Sequence, residues 1–417
     1  MTYSNDKIRA PEALPLIHTQ KHAKLIVHGQ GVFVFANTDN TKPCIFFLYT
    51  EDKSDGLRVE FTELSIRVSK ISDVTVYVDS DNIQGLSNDN GAYYWFSLDS
   101  QNQMLRAGLG EARLESKTYQ FEFLFTEDEK RKQNKLFLES IVHVQIYEEA
   151  MAMKAMRLLR DPVTVKIPLV VKPTDELTMN DIAQAIYMPK ANLSLEAQRL
   201  YDCIAGKNFV LDDDDFPEFS QAIEYSIKTP NCWCYEKIKS KSTEFNKDKP
   251  DPTETYLRIT LGENNGESPG IPYVMEIWPP EHYSPIHNHS GANAIIRVLT
   301  GEINVSLYPF LCTDGGNPFA NTNFHKDQIT WISPTLNQTH QLRNLGTQTC
   351  ITIQCYLYNQ NDDSHYDYFD YVDDNGVRQQ YEPDSDMDFV HFKNLMKKEW
   401  SNRNLNKKVV FFSCFRI

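Results

Sequence analysis

The residues best suited to chemistry are two histidines that stand one residue apart, His287 and His289. In an extended strand, side-chain direction repeats every second residue, so both imidazoles would point to the same side and could reach one ion. A third histidine, His340, follows further along the chain. We expect His287, His289 and His340 to be the ligands of a three-histidine metal site. The alternative, strand histidines satisfied by hydrogen bonds, is disfavoured by the paired spacing and by the Leu-Thr-Gly-Glu turn at 299–302.

The segments around these histidines have the composition of strands. Stretches rich in β-branched and aromatic residues lie at 256–261, 273–278, 294–299, 303–308, 328–333 and 350–358. Their order and spacing suit a jelly-roll barrel, a fold whose interior can hold a metal or a small ligand at one mouth. Helices are predicted before the barrel, beginning at the capping pattern of Thr178 and at Ser194.

The first part of the chain predicts a different β structure. From about residue 21 to residue 124, short strand-like segments alternate with polar turns, a pattern typical of an antiparallel β-sandwich. The segment 148–156, which is rich in Glu, Ala and Met, predicts a helix. We therefore predict a mainly β protein with two domains. Residues 1–172 form a β-sandwich for binding or interaction, and residues 173–417 form a helical lead-in, a barrel and a C-terminal extension.

Composition excludes several classes of partner. The 57 acidic residues exceed the 42 basic ones, and the resulting net charge of -15 disfavours binding to nucleic acid. No segment contains the roughly 20 apolar residues that a membrane span requires, and the first residues lack the apolar core of a secretory signal. The eight cysteines show no disulfide spacing. We expect a cytoplasmic protein with reduced thiols, no nucleic acid partner and no membrane.

Residues 287–301 resemble the first metal motif of the cupin superfamily, in which a His-x-His pair precedes a glutamate and then a glycine. His287, His289 and Gly301 match, whereas Asn293 and Ala294 occupy the stretch where the glutamate is expected. Three histidines without the carboxylate form a neutral ligand set, which leaves positions open for a bidentate substrate and dioxygen. Thiol dioxygenases use this arrangement.

Further motifs extend the resemblance to the cysteine dioxygenase family over about residues 193–376. Arg258 lies in a Tyr-x-Arg segment like that of the family, His340 is followed by Asn344, and Tyr358 ends a strand in Leu-Tyr. The resemblance implies that His287, His289 and His340 hold Fe(II). It further implies that Arg258 binds the substrate carboxylate by a two-point hydrogen bond and that the Tyr358 hydroxyl faces the substrate.

The function implied by the resemblance is an iron(II)-dependent thiol dioxygenase that oxidises L-cysteine with O2 to cysteine sulfinate. A dioxygenase for another small thiol, such as 3-mercaptopropionate, stays open, although Arg258 favours cysteine. A non-catalytic metal-binding cupin that acts as a sensor or scaffold is the alternative from a different class. It is motivated by Gln354 and Tyr356, which depart from the Ser-x-His-x-Tyr pattern of many members and remove a histidine from the surroundings of the metal.

The first domain carries a weaker resemblance. Residues 93–99 and 105–111 resemble the signature of the farnesoic-acid-methyltransferase-like domain, which implies a β-sandwich for binding or interaction without catalytic residues. A protein or glycan ligand is expected for this domain, and a lipid ligand or docking on the barrel stays open.

Overall fold

The computed structural model describes residues 22–37, 41–72, 76–81, 85–86, 93–123, 127–147, 153–261, 273–311, 317–359 and 368–413. The chain divides into two compact units, Met1–Ile167 with Tyr308–Cys312, and Pro168–Leu307 with Thr313–Ile417. The predicted domain limits of 1–172 and 173–417 differ from this partition by a few residues and by the segment 308–312. The role given to each domain stays a prediction.

The first unit is an antiparallel β-sandwich. Its described strands are β1 (His22–Lys24), β2 (Gln30–Asn37), β3 (Cys44–Thr50), β4 (Gly56–Phe61), β5 (Ser65–Lys70), β6 (Val76–Asp81), β7 (Tyr93–Asp99), β8 (Met104–Leu109), β9 (Lys117–Glu122), β10 (Ile141–Ile146) and β11 (Met153–Leu159). One sheet has the order β1-β10-β3-β4-β5-β6 and the other the order β11-β2-β7-β8-β9. Buried aromatic residues such as Phe33, Phe46 and Phe96 form the core of the unit.

The helix predicted at 148–156 is wrong for its last residues. Residues from Met153 onward belong to β11, which pairs antiparallel with β2, while residues 148–152 lie outside the described part of the chain. The helix of this region is instead α1 (Asp128–Glu139). Helix propensities differ by less than about 1 kcal/mol per residue, so a row of strand-pairing hydrogen bonds along β2 outweighs them.

The second unit begins with helices, two of which start where the sequence predicts. The helices are α2 (Met179–Ala183), α3 (Leu195–Ile204), α4 (Phe219–Lys228) and α5 (Trp233–Ser240), with α6 (Phe389–Ser413) near the C-terminus. Thr178 and Asp181 form the capping box of α2. The Ser194 side chain accepts a hydrogen bond from the Ala197 backbone N–H at the start of α3. These side chains satisfy N–H groups that the first helical turn leaves without partners.

The strands of the second unit form two sheets. They are β12 (Val171–Lys172), β13 (Met188–Pro189), β14 (Leu257–Leu261), β15 (Tyr273–Trp278), β16 (Ile286–His287), β17 (Asn293–Thr300), β18 (Glu302–Leu307), β19 (Ala320–His325), β20 (Ile329–Ile332), β21 (His340–Arg343), β22 (Cys350–Leu357), β23 (Phe369–Val372), β24 (Arg378–Tyr381) and β25 (Met387–Asp388). Their orders are β13-β12-β20-β17-β22-β15-β14-β25 and β19-β18-β21-β16-β23-β24.

The two sheets of this unit share an apolar core. Trp278 and Val298 from the first sheet and Val305, Leu342 and Tyr371 from the second belong to a single buried cluster. This arrangement is a jelly-roll barrel, so the predicted mainly β fold class is confirmed. No helix in the described ranges combines the length and the apolar composition that crossing a membrane demands.

Candidate metal centre

The barrel brings the three predicted ligands together. His287 in β16 lies directly opposite His340 in β21 on the neighbouring antiparallel strand, and residues opposite each other on such strands present their side chains to the same face. His289 lies in the turn after β16. The ring centroids of the three histidines are 4.6 to 4.9 Å apart. The potential ligand atoms of this group all lie within 4.8 Å of one another.

The strand assigned to the His-x-His pair is shorter than the sequence predicts. Only Ile286 and His287 are in β16, and the chain turns through Ser290 and Gly291, which have φ angles of 55° and 81°. The Ala292 backbone N–H donates to the His289 carbonyl across this turn. His289 therefore reaches the other two histidines from a tight turn rather than from a continuing strand.

Backbone carbonyls orient two of the imidazole rings. Nδ1 of His287 lies 3.0 Å from the Pro285 carbonyl oxygen, and Nδ1 of His340 lies 3.0 Å from that of Asn337. A ring nitrogen beside a carbonyl must be the N–H donor, so Nε2 of each neutral ring keeps its lone pair. Metal-bound histidines in proteins are commonly held by such contacts at the other nitrogen.

The third ring fits the same centre. Nε2 of His289 lies 3.2 Å from Nε2 of His340. Two imidazoles bound to one metal at about 2.1 Å and at right angles would have their nitrogens about 3 Å apart. Nδ1 of His289 is buried and has no hydrogen-bond partner among the described residues. The donor set therefore fits one metal ion, with Nε2 as the expected ligand atom of each ring.

Burial keeps the three imidazoles neutral. It lowers the pKa of His287 to about 4 and that of His340 to about 3. The pKa of His289 also falls well below its ordinary value, first because of burial and then because of the neighbouring histidines. The positive charge of Arg258 contributes a smaller lowering for His287 and His289. Neutral imidazole is the form that coordinates a metal, so near pH 7 no proton has to be removed.

Arg258 lies in the same barrel but is already paired with a carboxylate. It is in β14, directly opposite Glu276 in β15, and its Nη1 lies 3.3 Å from Glu276 Oε1. Both residues are buried, with 2% and 3% of their surface exposed. The second carboxylate oxygen of Glu276 accepts a hydrogen bond from the Gln354 side-chain amide. Burial raises the pKa of Glu276 to about 7, although Arg258 and then Lys241 act to lower it.

The ring of Tyr356 contacts that of His289. Its centroid lies 5.1 Å from that of His289, and the two rings are nearly parallel at 23°. Its hydroxyl donates to Gln354 Oε1. Tyr358 lies beyond the end of β22 and is partly buried, and its predicted role toward the substrate stays a prediction. Phe369 of β23 covers His289 from another side, with ring centroids 4.3 Å apart.

Polar contacts therefore link Arg258 to Tyr356 through Glu276 and Gln354, and the Tyr356 ring stacks on His289 of the candidate centre. In the sequence, Gln354 and Tyr356 stand out only as departures from a family pattern, and Glu276 and Phe369 were not predicted to lie near the candidate centre. Glu276 could have been recognised from the sequence, because it is a lone acidic residue within the apolar strand Tyr273–Trp278. The positively charged Arg258 lies in the preceding strand, β14.

A small cavity lies beside His340. Its volume is about 10 Å³, enough for about one water-sized molecule. Most of its lining is apolar and includes Ile296, Leu307 and Trp331.

Comparisons with known proteins give similarity in fold to parts of the chain. No protein-family model matches the chain. The Cupin_2 domain of an XRE family transcriptional regulator from Enterobacter cloacae is 14% identical, covering 25% of this chain and 98% of that one, with a TM-score of 0.21. A cupin superfamily protein from Desulfitobacterium hafniense is 10% identical, covering 25% and 79%, with a TM-score of 0.19. An oxalate oxidase in complex with the substrate analogue glycolate is 19% identical, covering 27% and 53%, with a TM-score of 0.21. Likeness at this level carries no argument about the reaction.

Proposed function

We propose that the second unit is an iron(II)-dependent thiol dioxygenase, for which L-cysteine is the substrate that the sequence predicts. The observation that carries the proposal is the buried group of three neutral histidines, His287, His289 and His340. Imidazole nitrogen suits iron among other transition metals, and three ligands leave positions open for other molecules. The sequence resemblance to cysteine dioxygenases agrees with this ligand set.

The proposed reaction is balanced without a further reductant. A thiolate and one dioxygen give one sulfinate, RS⁻ + O2 → RSO2⁻. The O–O bond breaks, two S–O bonds form, and sulfur loses the four electrons that the two oxygen atoms gain. Bound iron(II) would supply a Lewis acid that lowers the pKa of the thiol and a centre that reacts with dioxygen.

The protein side chains have separate parts in this proposal. The carbonyls of Pro285 and Asn337 hold two of the histidine rings with Nε2 free. The rings of Tyr356 and Phe369 lie against His289 and exclude water from that side of the centre. Exclusion of water strengthens the electrostatic interactions within the site and protects reactive species from side reactions.

Two alternatives stay open for the same centre. The first is a different thiol, such as 3-mercaptopropionate. The second is a metal-binding domain without turnover, which acts as a sensor or scaffold. A specific observation favours the second alternative, because Arg258, Glu276, Gln354 and Tyr356 are hydrogen-bonded or ion-paired to one another. Side chains that are paired with one another in this way have fewer donors and acceptors left for a substrate.

Anaerobic loading with Fe(II), followed by oxygen uptake with a panel of thiols, distinguishes these functions. The proposal predicts bound iron, thiol-dependent oxygen uptake and sulfinate formation. His287→Ala and His289→Ala should both lose the metal and the activity, whereas His325→Ala, at an exposed strand end, should lose neither. Iron binding without oxygen uptake for any thiol would support the non-catalytic alternative. Retention of iron by both alanine variants would contradict the assignment of the centre.

A further inference from the structure

Arg258, the residue predicted to bind the substrate carboxylate, already has a carboxylate of the protein beside it. Glu276 occupies the side of Arg258 where Nη1 and Oε1 are 3.3 Å apart, and neither residue has more than 3% of its surface exposed. The Gln354 amide holds the other carboxylate oxygen in place. The position of Glu276 is therefore fixed from two sides inside the barrel.

This pair changes what Arg258 can recognise. A free arginine would bind a substrate carboxylate by charge and by paired hydrogen bonds. With Glu276 present, an incoming carboxylate would lie beside a second negative charge in a buried place. Two carboxyl groups that lie side by side in a buried place cannot both be ionised without an energetic penalty.

Arg258 has a further N–H donor that Glu276 does not use. Nε of Arg258 is buried and has no hydrogen-bond partner among the described residues. A neutral acceptor, such as an amide carbonyl, could accept from a buried N–H group without the repulsion that a carboxylate would meet at Glu276. A buried unpaired donor is costly, so an acceptor of this kind would contribute to binding.

We propose that Glu276 takes the place of the substrate carboxylate at Arg258, so that the metal centre accepts a small thiol without a free carboxylate. The inference rests on the proposed function and names the substrate class of the same site. Under this inference Glu276 determines the specificity of the site. The expected substrate is then a cysteine derivative or an aminothiol in which the carboxylate is absent or masked, rather than L-cysteine.

Binding to the cobalt(II)-loaded protein tests the inference without requiring turnover. L-cysteine and L-cysteine amide share the thiol and the amine and differ at the carboxyl group, which is an anion in the first and a neutral amide in the second. The absorption of a cobalt-bound thiolate reports the binding of either one, and each affinity is corrected for the fraction of free thiolate. Under nitrogen at pH 8, we expect the amide to bind at least about tenfold more tightly, which corresponds to about 1.4 kcal/mol. 2-Mercaptoethylamine, which has no carboxyl group, should also bind more tightly than L-cysteine.

Variants of Glu276 give the converse test. Glu276→Gln should leave the charge of Arg258 unpaired and increase the affinity for L-cysteine at least about tenfold, with little change for the amide. Asp327→Asn is the matched control, because it removes the partner of a different arginine, Arg297, at 2.8 Å. If Glu276→Gln does not fold, the double variant Arg258→Gln/Glu276→Gln removes both buried charges together and should bind the two thiols alike.

The possible outcomes separate this inference from the proposed function. If wild-type protein binds L-cysteine as tightly as the amide, the inference is overturned while thiol oxidation stands. If the amide binds more tightly but neither thiol supports oxygen uptake, the proposed function fails and the binding preference stands. If no thiol alters the cobalt spectrum, both are overturned. A Glu276→Gln variant that changes both affinities equally would also overturn the role given to Glu276.

Discussion

Replacing Glu276 by glutamine should remove a pH dependence of stability that the wild-type protein shows between about pH 4.5 and 7. Burial raises the pKa of this carboxyl from 4.5 to about 7 in the folded protein. Between these pH values the folded protein keeps the proton and the unfolded chain has lost it. The folded state therefore binds more protons, and the free energy of unfolding falls as the pH rises. Since one pKa unit corresponds to about 1.4 kcal/mol, the total loss is about 3 kcal/mol.

Urea unfolding of the metal-free protein, followed by tryptophan fluorescence from pH 4.5 to 8, measures this effect. The free energy of unfolding of wild-type protein minus that of Glu276→Gln should fall by about 3 kcal/mol as the pH rises to 7 and then level off. Loss of the partner of Arg258 adds an offset that does not depend on pH in this range. Glu302→Gln, at a partly exposed carboxylate, is the control. A difference between wild type and Glu276→Gln that stays constant with pH would refute the reasoning.

Three further predictions concern the barrel, its metal centre and its helical lead-in. Gly301→Ala should destabilise the protein by about 1 to 3 kcal/mol, because Gly301 has a φ of 75° and an added Cβ would lie 2.9 Å from the Cys350 Cα. Gly206→Ala, where nothing lies within 4 Å of the added atom, should have little effect, and equal melting temperatures for the two variants would contradict this. Zinc affinity, measured by competition with a chromophoric chelator, should change little from pH 7 to 5.5, because the pKa values of His287 and His340 are about 4 and about 3. A loss of roughly eightfold per ligand over this interval, as for histidines with an ordinary pKa of about 6.5, would show that the rings are not held neutral. Thr178→Ala removes the cap of α2 and should lower the free energy of unfolding, measured with urea, by about 1 kcal/mol. Thr178→Ser keeps a capping hydroxyl and should not lower it. Equal losses for the two variants would exclude the cap as the cause.

The sequence predicted those parts of the fold whose signals are local. Alternating strands and polar turns indicated the sandwich, and Thr178 and Ser194 marked helix starts that the structure confirms. The segment that contains Met153 was misassigned because its residues favour a helix in isolation. Its pairing with β2, which lies far away in the sequence, decides its conformation, and local propensity carries no information about such a partner.

The grouping of the three histidines could be predicted from the sequence, and their surroundings less so. The His-x-His spacing and His340 identified three side chains that the structure brings together. The engagement of Arg258 by Glu276 depends on the register of β14 against β15, and a shift of one residue would place the carboxylate on the other face. Register follows from the whole sheet, so the pairing could not be derived from either strand alone.

Isotope labelling of the product tests the central proposal most directly. Protein loaded with Fe(II) under nitrogen would be exposed to ¹⁸O2 with L-cysteine and with L-cysteine amide, and the products would be analysed by mass spectrometry. A thiol dioxygenase built on His287, His289 and His340 predicts a sulfinate that carries two labelled oxygen atoms, formed by wild-type protein and not by His289→Ala. Iron-loaded protein that gives only disulfide, or a sulfinate with oxygen from water, would contradict it.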